Sequence, residues 1–281
     1  MSLRTFFSLI KIEHTLFALP LALTGAILAA RGLPDTMTLI LLAIAFTAAR
    51  AAAMAFNRMV DRRIDALNPR TADREIPSGA ISVTKTGILV ALSAVVFLAA
   101  AWAINPLCGK LAPLALVVVL GYSYTKRFTV LCHYLLGLAL GIAPVAGWLA
   151  VTGEFACAPV ILGLGVIFWT AGFDTLYACQ DVAFDQKMGL YSLPARLGIA
   201  WALRLAAASH LVAFGLFVLT GYLAALSWVF YALALITGLL LVWEHRLISP
   251  NNLSKLDIAF FRVNSLVSAS LLLAVSAGLV I

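Results

Sequence analysis

The sequence predicts an all-α polytopic membrane protein, with about nine transmembrane helices in a bundle and the N-terminus in the cytoplasm. Three observations carry that expectation. Of the 281 residues, 63% are hydrophobic and 11% charged, under half the roughly 25% charged content of soluble domains. Mean hydropathy is +1.05, and no polar stretch is long enough for a separate soluble domain, so residues 1–281 read as one transmembrane domain. The third is the placement of Lys and Arg, which falls almost wholly on one side of the expected membrane. A soluble globule, a disordered chain and a secreted disulfide scaffold are excluded. The four cysteines, Cys108, Cys132, Cys157 and Cys179, lie far apart without a C-x-x-C pair and read as small buried residues, not as a metal or disulfide framework.

A spanning helix needs about 20 largely apolar residues. In chain order, runs of that kind are 14–31, 38–57, 86–105, 111–127, 130–152, 156–178, 199–221, 224–243 and 259–280. The N-terminal MSLRTFFSLIKIEHTLFALP lacks the small-residue cleavage region of a signal peptide, so the first run is expected to be retained. Run 111–127 is short, and 199–221 and 224–243 are divided only around Gly221, which leaves eight as the alternative count.

With the N-terminus inside, Arg4, Lys11, the cluster from Arg58 to Lys85, Lys126, Arg127, Lys187, Arg196, Arg204, Arg246, Lys255 and Arg262 share the cytoplasmic side. Only Arg31 and Lys110 fall on the other. This is the asymmetry that orients membrane proteins, and it accounts for the formal charge of +7 without invoking nucleic acid. The inner segments 57–85 and 179–198 are longer than the outer connections and hold six of the twelve acidic residues. Function is therefore expected on the cytoplasmic face.

In FNRMVDRRIDALNPRTADREIPSG, residues 56–79, Asn57, Asp61 and Asp65 recur every four residues, so a helix presents them on one face. Between 171 and 198, Asp181 and Asp185 repeat the spacing, with Asp174 and Tyr177 one to two turns earlier on about the same face. Like charges four apart repel, and a shared carboxylate stripe asks for a cation. Oxygen-only donors suit a hard ion such as Mg2+, which binds through a few carboxylates plus substrate phosphates. On an ordinary solvated helix end, Arg58, Arg62 and Arg63 would instead pair with Asp61 and Asp65. Two such stripes on one membrane face favour a shared metal–phosphate site.

A diphosphate held there needs cationic donors on the same side. Tyr122, Lys126 and Arg127 in GYSYTKRFT, Arg70 and Arg74 in the first inner segment, and Lys187 after the second stripe are the candidates. The charge asymmetry alone would also place Lys126 and Arg127 there. Arg50 differs, because it lies about two turns inside the second helix among alanines. A charge at that depth is costly unless a cavity or partner receives it. An anionic group on an acceptor is one candidate partner, and a buried pair with Asp174 the structural alternative. His14 and His133 have no acidic or Cys neighbour at ligand spacing and read as interfacial residues.

The motifs N-x-x-x-D-x-x-x-D (57–65) with N-P-R-T-x-x-R and P-S-G (68–79), Y-x-x-x-K-R (122–127) and D-T-x-Y-A-x-x-D-x-x-x-D-x-x-x-G-x-x-S (174–192) are specific together. At these residues, and in length and helix plan, the whole chain resembles the UbiA superfamily of intramembrane aromatic prenyltransferases. It is most similar to the 4-hydroxybenzoate polyprenyltransferase branch, where an arginine seven residues before the motif Asn also occurs. The opening KIEHTLFALP looks more like relatives that make menaquinone by the futalosine route, and Glu75 stands where the family often has proline in R-P-x-P.

The resemblance implies electrophilic alkylation at a multi-pass protein of the cell (inner) membrane, with ubiquinone or menaquinone biosynthesis as its setting. Asn57, Asp61, Asp65, Asp181 and Asp185 would hold Mg2+ on the diphosphate of a polyprenyl donor. Lys126, Arg127, Arg70, Arg74, Lys187 and Tyr122 would bind the diphosphate, and Arg50 and Tyr177 the aromatic acceptor. Asp174 or Asp181 would assist loss of the ring proton or orient the acceptor. Polyprenyl diphosphate, aromatic acceptor and lipid bilayer are the expected partners, with no nucleic acid and no obligate protein. The leading acceptor is 4-hydroxybenzoate; a futalosine-derived or naphthoate acceptor, or haem, is the alternative. A cation-coupled transporter is the remote alternative, since it would place charge near mid-bilayer in several helices, whereas only Arg50 lies deep. A purely structural subunit would have no use for two repulsive acid stripes.

Overall fold

The computed structural model describes residues 8–9 and 12–280, without the side chains of 12–17. It is a bundle of helices with one isolated antiparallel bridge between Ser249 and Asn252. The helices are α1 (Ile12–Ala30), α2 (Thr36–Leu67), α3 (Val83–Ile104), α4 (Pro106–Thr125), α5 (Cys132–Thr152) and α6 (Cys157–Ala178). After a 3-10 turn (Cys179–Asp181) come α7 (Val182–Lys187), α8 (Leu193–Leu197), α9 (Ile199–Leu223) and α10 (Trp228–Arg246). A π-helical turn (Ile258–Val263) then leads into α11 (Asn264–Val280). Among the described residues, eight helical stretches are long and apolar enough to cross a membrane. The helix α1, whose described apolar part is Ala18–Ala30, stands at the first expected run, 14–31. The His14 side chain lies outside the described residues.

Two boundaries depart from the hydropathy reading, for local reasons. Nothing between Asn57 and Leu67 breaks a helix, so α2 continues through the acidic motif as one 32-residue rod. It stops at Asn68, the residue before Pro69, whose φ −92° and ψ 119° are the extended values that a following proline imposes. At the other correction, α4 starts at Pro106, five residues before the expected 111. Asn105 Oδ1 accepts the Cys108 N–H at 2.8 Å and proline fills the first helical position. The inner segment 179–198 is also more than a connection, since it folds into the 3-10 turn, α7 and α8.

Helix α5 packs on α1 and α6, α6 on α9, α10 on α11, and α11 back on α1; α2, α3 and α4 form the remaining side. The core where these meet includes Leu21, Leu162, Val166, Trp169, Phe217 and Val267. Close approach depends on glycine. A methyl on Gly147 would collide with the Ala22 carbonyl of α1, and one on Gly25 with the Pro144 carbonyl of α5. Small residues at helix crossings are how membrane bundles gain contact without a hydrophobic drive. Gly147→Ala is therefore expected to destabilise the bundle by about 2 kcal/mol through overpacking, read as a lower melting temperature in detergent.

One polar network inside the bundle is paired across helices. Trp169 Nε1 donates to Asn264 Oδ1 at 2.7 Å, and Asn264 Nδ2 donates to Glu244 Oε1 at 2.9 Å. His210 and His245 continue this network, with their ring nitrogens 3.0 Å apart. The four cysteines are all free, but only Cys132 and Cys179 are buried; Cys108 is half-buried and Cys157 exposed, which corrects the expectation for that pair. Cys157 opens α6 at the end of the bundle, where few side chains cover it.

Candidate active site

Two chambers adjoin inside the bundle. The polar one, about 610 Å3, is lined from the end of α2, the loop 68–75, the ends of α4 and α6, the start of α5, and segment 181–192. The apolar one, about 490 Å3, lies deeper between α2, α3, α4, α5 and α6. Arg50, Met54, Tyr122, Leu136 and Leu140 belong to both walls, so the two volumes meet at these side chains. Leu114 at 64% exposure and Phe155 at 60% line the apolar chamber while facing outward, which opens it to the surroundings of the bundle.

Both acidic motifs face the polar chamber, as their spacing predicts. Asp61, only 2% exposed, accepts from Lys126 Nζ at 2.6 Å, Arg127 Nη2 at 2.8 Å and Asn57 Nδ2 at 3.2 Å. Asp65 accepts from Arg74 Nη1 at 2.8 Å, and its other oxygen is buried without a hydrogen bond. Asp181 accepts from Arg70 Nε at 2.9 Å and Asn68 Nδ2 at 3.1 Å, and Arg70 Nη1 reaches the Tyr177 hydroxyl at 3.3 Å. Burial opposes the charge on Arg70, but its bonds and attraction to Asp181 outweigh this and hold the guanidinium above its ordinary pKa. Asp185 accepts from Ser192 Oγ at 2.6 Å.

The solvated-helix alternative is not what the structure contains. Arg62 turns to the Met59 carbonyl, Arg58 is buried near Glu75, and the aspartates take cations from other elements. Two expected diphosphate ligands also move. Arg127 spends its guanidinium on Ser123 O, Val60 O and Asp61, so it braces Asp61 from behind and is absent from the chamber wall. Lys187 is exposed and outside the chamber, because two residues past Asp185 on a helix is the opposite face. Lys187→Ala is accordingly expected to stay within about twofold of wild-type turnover, while Arg70→Ala, which strips Asp181 of its cation, loses about tenfold or more.

His133 is the main correction. It is 3% exposed, not interfacial, and its Nδ1 lies 2.7 Å from Asp174 Oδ2. Asp174 therefore pairs with His133 and not with Arg50, whose Nε is buried without a hydrogen bond. Sequence spacing had no means of showing this, since the pair is 41 residues apart. Asn68 and Ser192 were likewise passed over as site residues, although both stand inside the quoted motifs. Tyr177 stacks on Phe260 with ring centroids 4.1 Å apart, and Tyr122 lines both chambers.

The donor set suits a hard divalent cation. Asn57, Asp61, Asp65, Asp181 and Asp185 offer only oxygen ligands toward one chamber, and the orphaned buried oxygen of Asp65 lacks a donor that such an ion would replace. As they stand, Asp61, Asp65 and Asp181 are neutralised by Lys126, Arg127, Arg74 and Arg70, while Asp185 has the Ser192 hydroxyl.

Comparison with known proteins follows the same lines. The pattern of the UbiA prenyltransferase family matches residues 18–266. The chain is 32% identical to the 4-hydroxybenzoate octaprenyltransferase of Yersinia enterocolitica, over 92% of this chain and 86% of that protein. A solved UbiA homologue from Aeropyrum pernix K1 superposes with a TM-score of 0.81 at 32% identity, covering 95% of this chain and 97% of the other. A UbiA homologue from Archaeoglobus fulgidus, bound to GPP and Mg2+, shares the fold with a TM-score of 0.68 at 20% identity, over 97% of this chain and 99% of that one.

Proposed function

The chain belongs to the UbiA prenyltransferase family, and on that premise we propose that it joins a polyprenyl group to 4-hydroxybenzoate at a Mg2+-dependent site open to the cytoplasm. It is a membrane-embedded prenyltransferase; the acceptor, the metal and the sidedness are the added steps. One observation carries the reading: a polar chamber lined by two aspartate motifs adjoins an apolar chamber through a shared wall at Arg50 and Tyr122. A polyprenyl diphosphate has that division, an anionic head and a long hydrocarbon tail. The cytoplasmic opening rests on the Lys and Arg asymmetry, and 4-hydroxybenzoate on relatives such as the Yersinia protein. Mg2+ is supported by the oxygen donor set and by the Archaeoglobus relative.

Asn57, Asp61, Asp65, Asp181 and Asp185 would hold the metal, which when bound would supply positive charge against the diphosphate. Arg70, Arg74 and Lys126, paired with Asp181, Asp65 and Asp61, are the side chains of the chamber wall placed to reach phosphate oxygens. The allylic C–O bond breaks with its electron pair on the diphosphate, and these same side chains meet the charge that develops there. Apolar walls at Met54, Leu136 and Leu140 exclude water from the allylic cation. Arg50 receives the acceptor carboxylate at the seam between the chambers. Asp174 accepts a hydrogen bond from the acceptor hydroxyl, which raises electron density on the ring. A ring carbon bonds C1 of the allylic cation and then gives up its proton to an aspartate of the chamber, Asp174 or Asp181.

The deciding experiment is an acceptor panel in membranes, with radiolabelled polyprenyl diphosphate, Mg2+, 4-hydroxybenzoate and menaquinone-route aromatics. Prenylated 4-hydroxybenzoate supports the reading. Product only from a naphthoate or futalosine-derived aromatic overturns the acceptor and keeps the chemistry; no product from any of them overturns the acceptor class.

A further inference from the structure

His133 opens α5 and Asp174 lies near the end of α6, and the chamber wall includes both. The Leu193 N–H donates to His133 Nε2 at 3.1 Å. An amide nitrogen can only donate, so Nε2 carries the lone pair and the ring proton sits on Nδ1, 2.7 Å from Asp174 Oδ2. The tautomer is thus fixed by the backbone of α8. Among the described residues Asp174 has no other hydrogen bond or ion pair, and at 25% exposure it remains open to the chamber. The histidine is almost fully buried with both nitrogens used, whereas the carboxylate it holds keeps one oxygen for a ligand.

We propose that His133 is a positioning residue of the transfer reaction, holding the Asp174 carboxylate in one orientation through its Nδ1–H so that the second oxygen can receive the hydroxyl of the aromatic acceptor. The inference rests on the prenyl-transfer reading above. An imidazole anchored at one nitrogen and donating from the other is the arrangement by which a third group orients a catalytic partner. Here the order is reversed, with the backbone orienting the histidine and the histidine orienting the acid. Ser192, next to Leu193, donates to Asp185, so the same short segment that anchors His133 also holds a metal-motif carboxylate.

The two bonds of His133 can be separated by substitution. Asn places an amide N–H where Nδ1 stands and keeps the Asp174 bond; Gln places a carbonyl near Nε2 and keeps only the Leu193 bond. His133→Asn is expected to stay within about threefold of wild type in kcat/KM for the acceptor, and His133→Gln to fall about thirtyfold. The donor KM and the melting temperature should be unchanged in both. In an Asp174→Asn background the two variants should be equal. Equal losses with Asp174 intact, or a Gln variant that melts early and weakens donor and acceptor alike, would make His133 a structural tie between α5 and α8. Nitrogen NMR of the imidazole in the wild-type protein gives an answer independent of turnover: a proton on Nδ1 is expected, and a proton on Nε2 overturns the proposal. Failure of the function reading shows separately, as a wild type that leaves 4-hydroxybenzoate unmodified; the kinetic comparison then uses whichever aromatic it does prenylate.

Discussion

Asp61→Asn is expected to lower kcat/KM for prenyl transfer at least about a thousandfold, because it removes an oxygen ligand and a charge at the leaving diphosphate together. The substitution keeps the size of the side chain, so the loss is chemical and not a matter of packing. An alternative explanation has to be separated from it. Asp61 is 2% exposed and holds Lys126 and Arg127, so a purely structural ion pair would also suffer. Breaking a buried pair costs roughly 3–5 kcal/mol. Lys126 and Arg127 retain 33% and 29% of their side-chain exposure, and water screens them, so about 2 kcal/mol is the reasonable expectation here. Adding Arg127→Met removes one unpaired cation that lies outside the chamber wall and should restore much of the melting temperature. If Asp61 serves only the ion pair, the double variant regains activity with stability. If it serves the diphosphate, stability returns and Mg2+-dependent diphosphate release does not. Full release from the single variant would remove Asp61 from the site.

The parts of this protein that could be read in the sequence are those written in local periodicity. Each of the nine apolar runs falls on a helix, eight of them long and apolar enough to cross a membrane among the described residues, because hydropathy over about 20 residues is a direct statement about solvent. The four-residue spacing of Asn57, Asp61 and Asp65 needed only helix geometry, and the uninterrupted α2 delivers it. What spacing could not supply is partnership between distant residues. His133 looked interfacial since its acidic neighbour stands on another helix, and Arg50 was offered Asp174 as a partner that His133 already holds. Lys187 failed for the opposite reason: it shares a segment with Asp185, but 200° of helical rotation separate them. The apolar run marks only the span, 38–57; the spacing of Asn57, Asp61 and Asp65 carries the helix beyond it, and the first physical stop is Pro69. Charge ends a membrane span; it does not end a helix.

Arg50→Leu is expected to do two opposite things, and both follow from Arg50 having no ion pair among the described residues. Arg50 Nε is buried without a hydrogen bond, within a helix face that includes Ala49 and Ala53 of the apolar chamber. A buried cation that nothing neutralises is destabilising, and replacing it with an apolar side chain of similar length is commonly neutral or favourable. The melting temperature should therefore hold or rise. Turnover should fall about a hundredfold or more in kcat/KM for 4-hydroxybenzoate, since a site built to pair a carboxylate loses its only charge at the chamber seam. The donor KM should not move, because the diphosphate is met by Arg70, Arg74 and Lys126. An acceptor lacking the carboxylate sharpens the test. Wild type and Arg50→Leu should prenylate a simple phenol at similar rates, so the penalty of the substitution disappears with the group it is meant to recognise. A variant that unfolds, or that loses donor and acceptor to the same extent, would return Arg50 to a structural or diphosphate-binding role. The sign of the stability change separates these outcomes: only a residue retained for its ligand leaves the empty protein better off when removed.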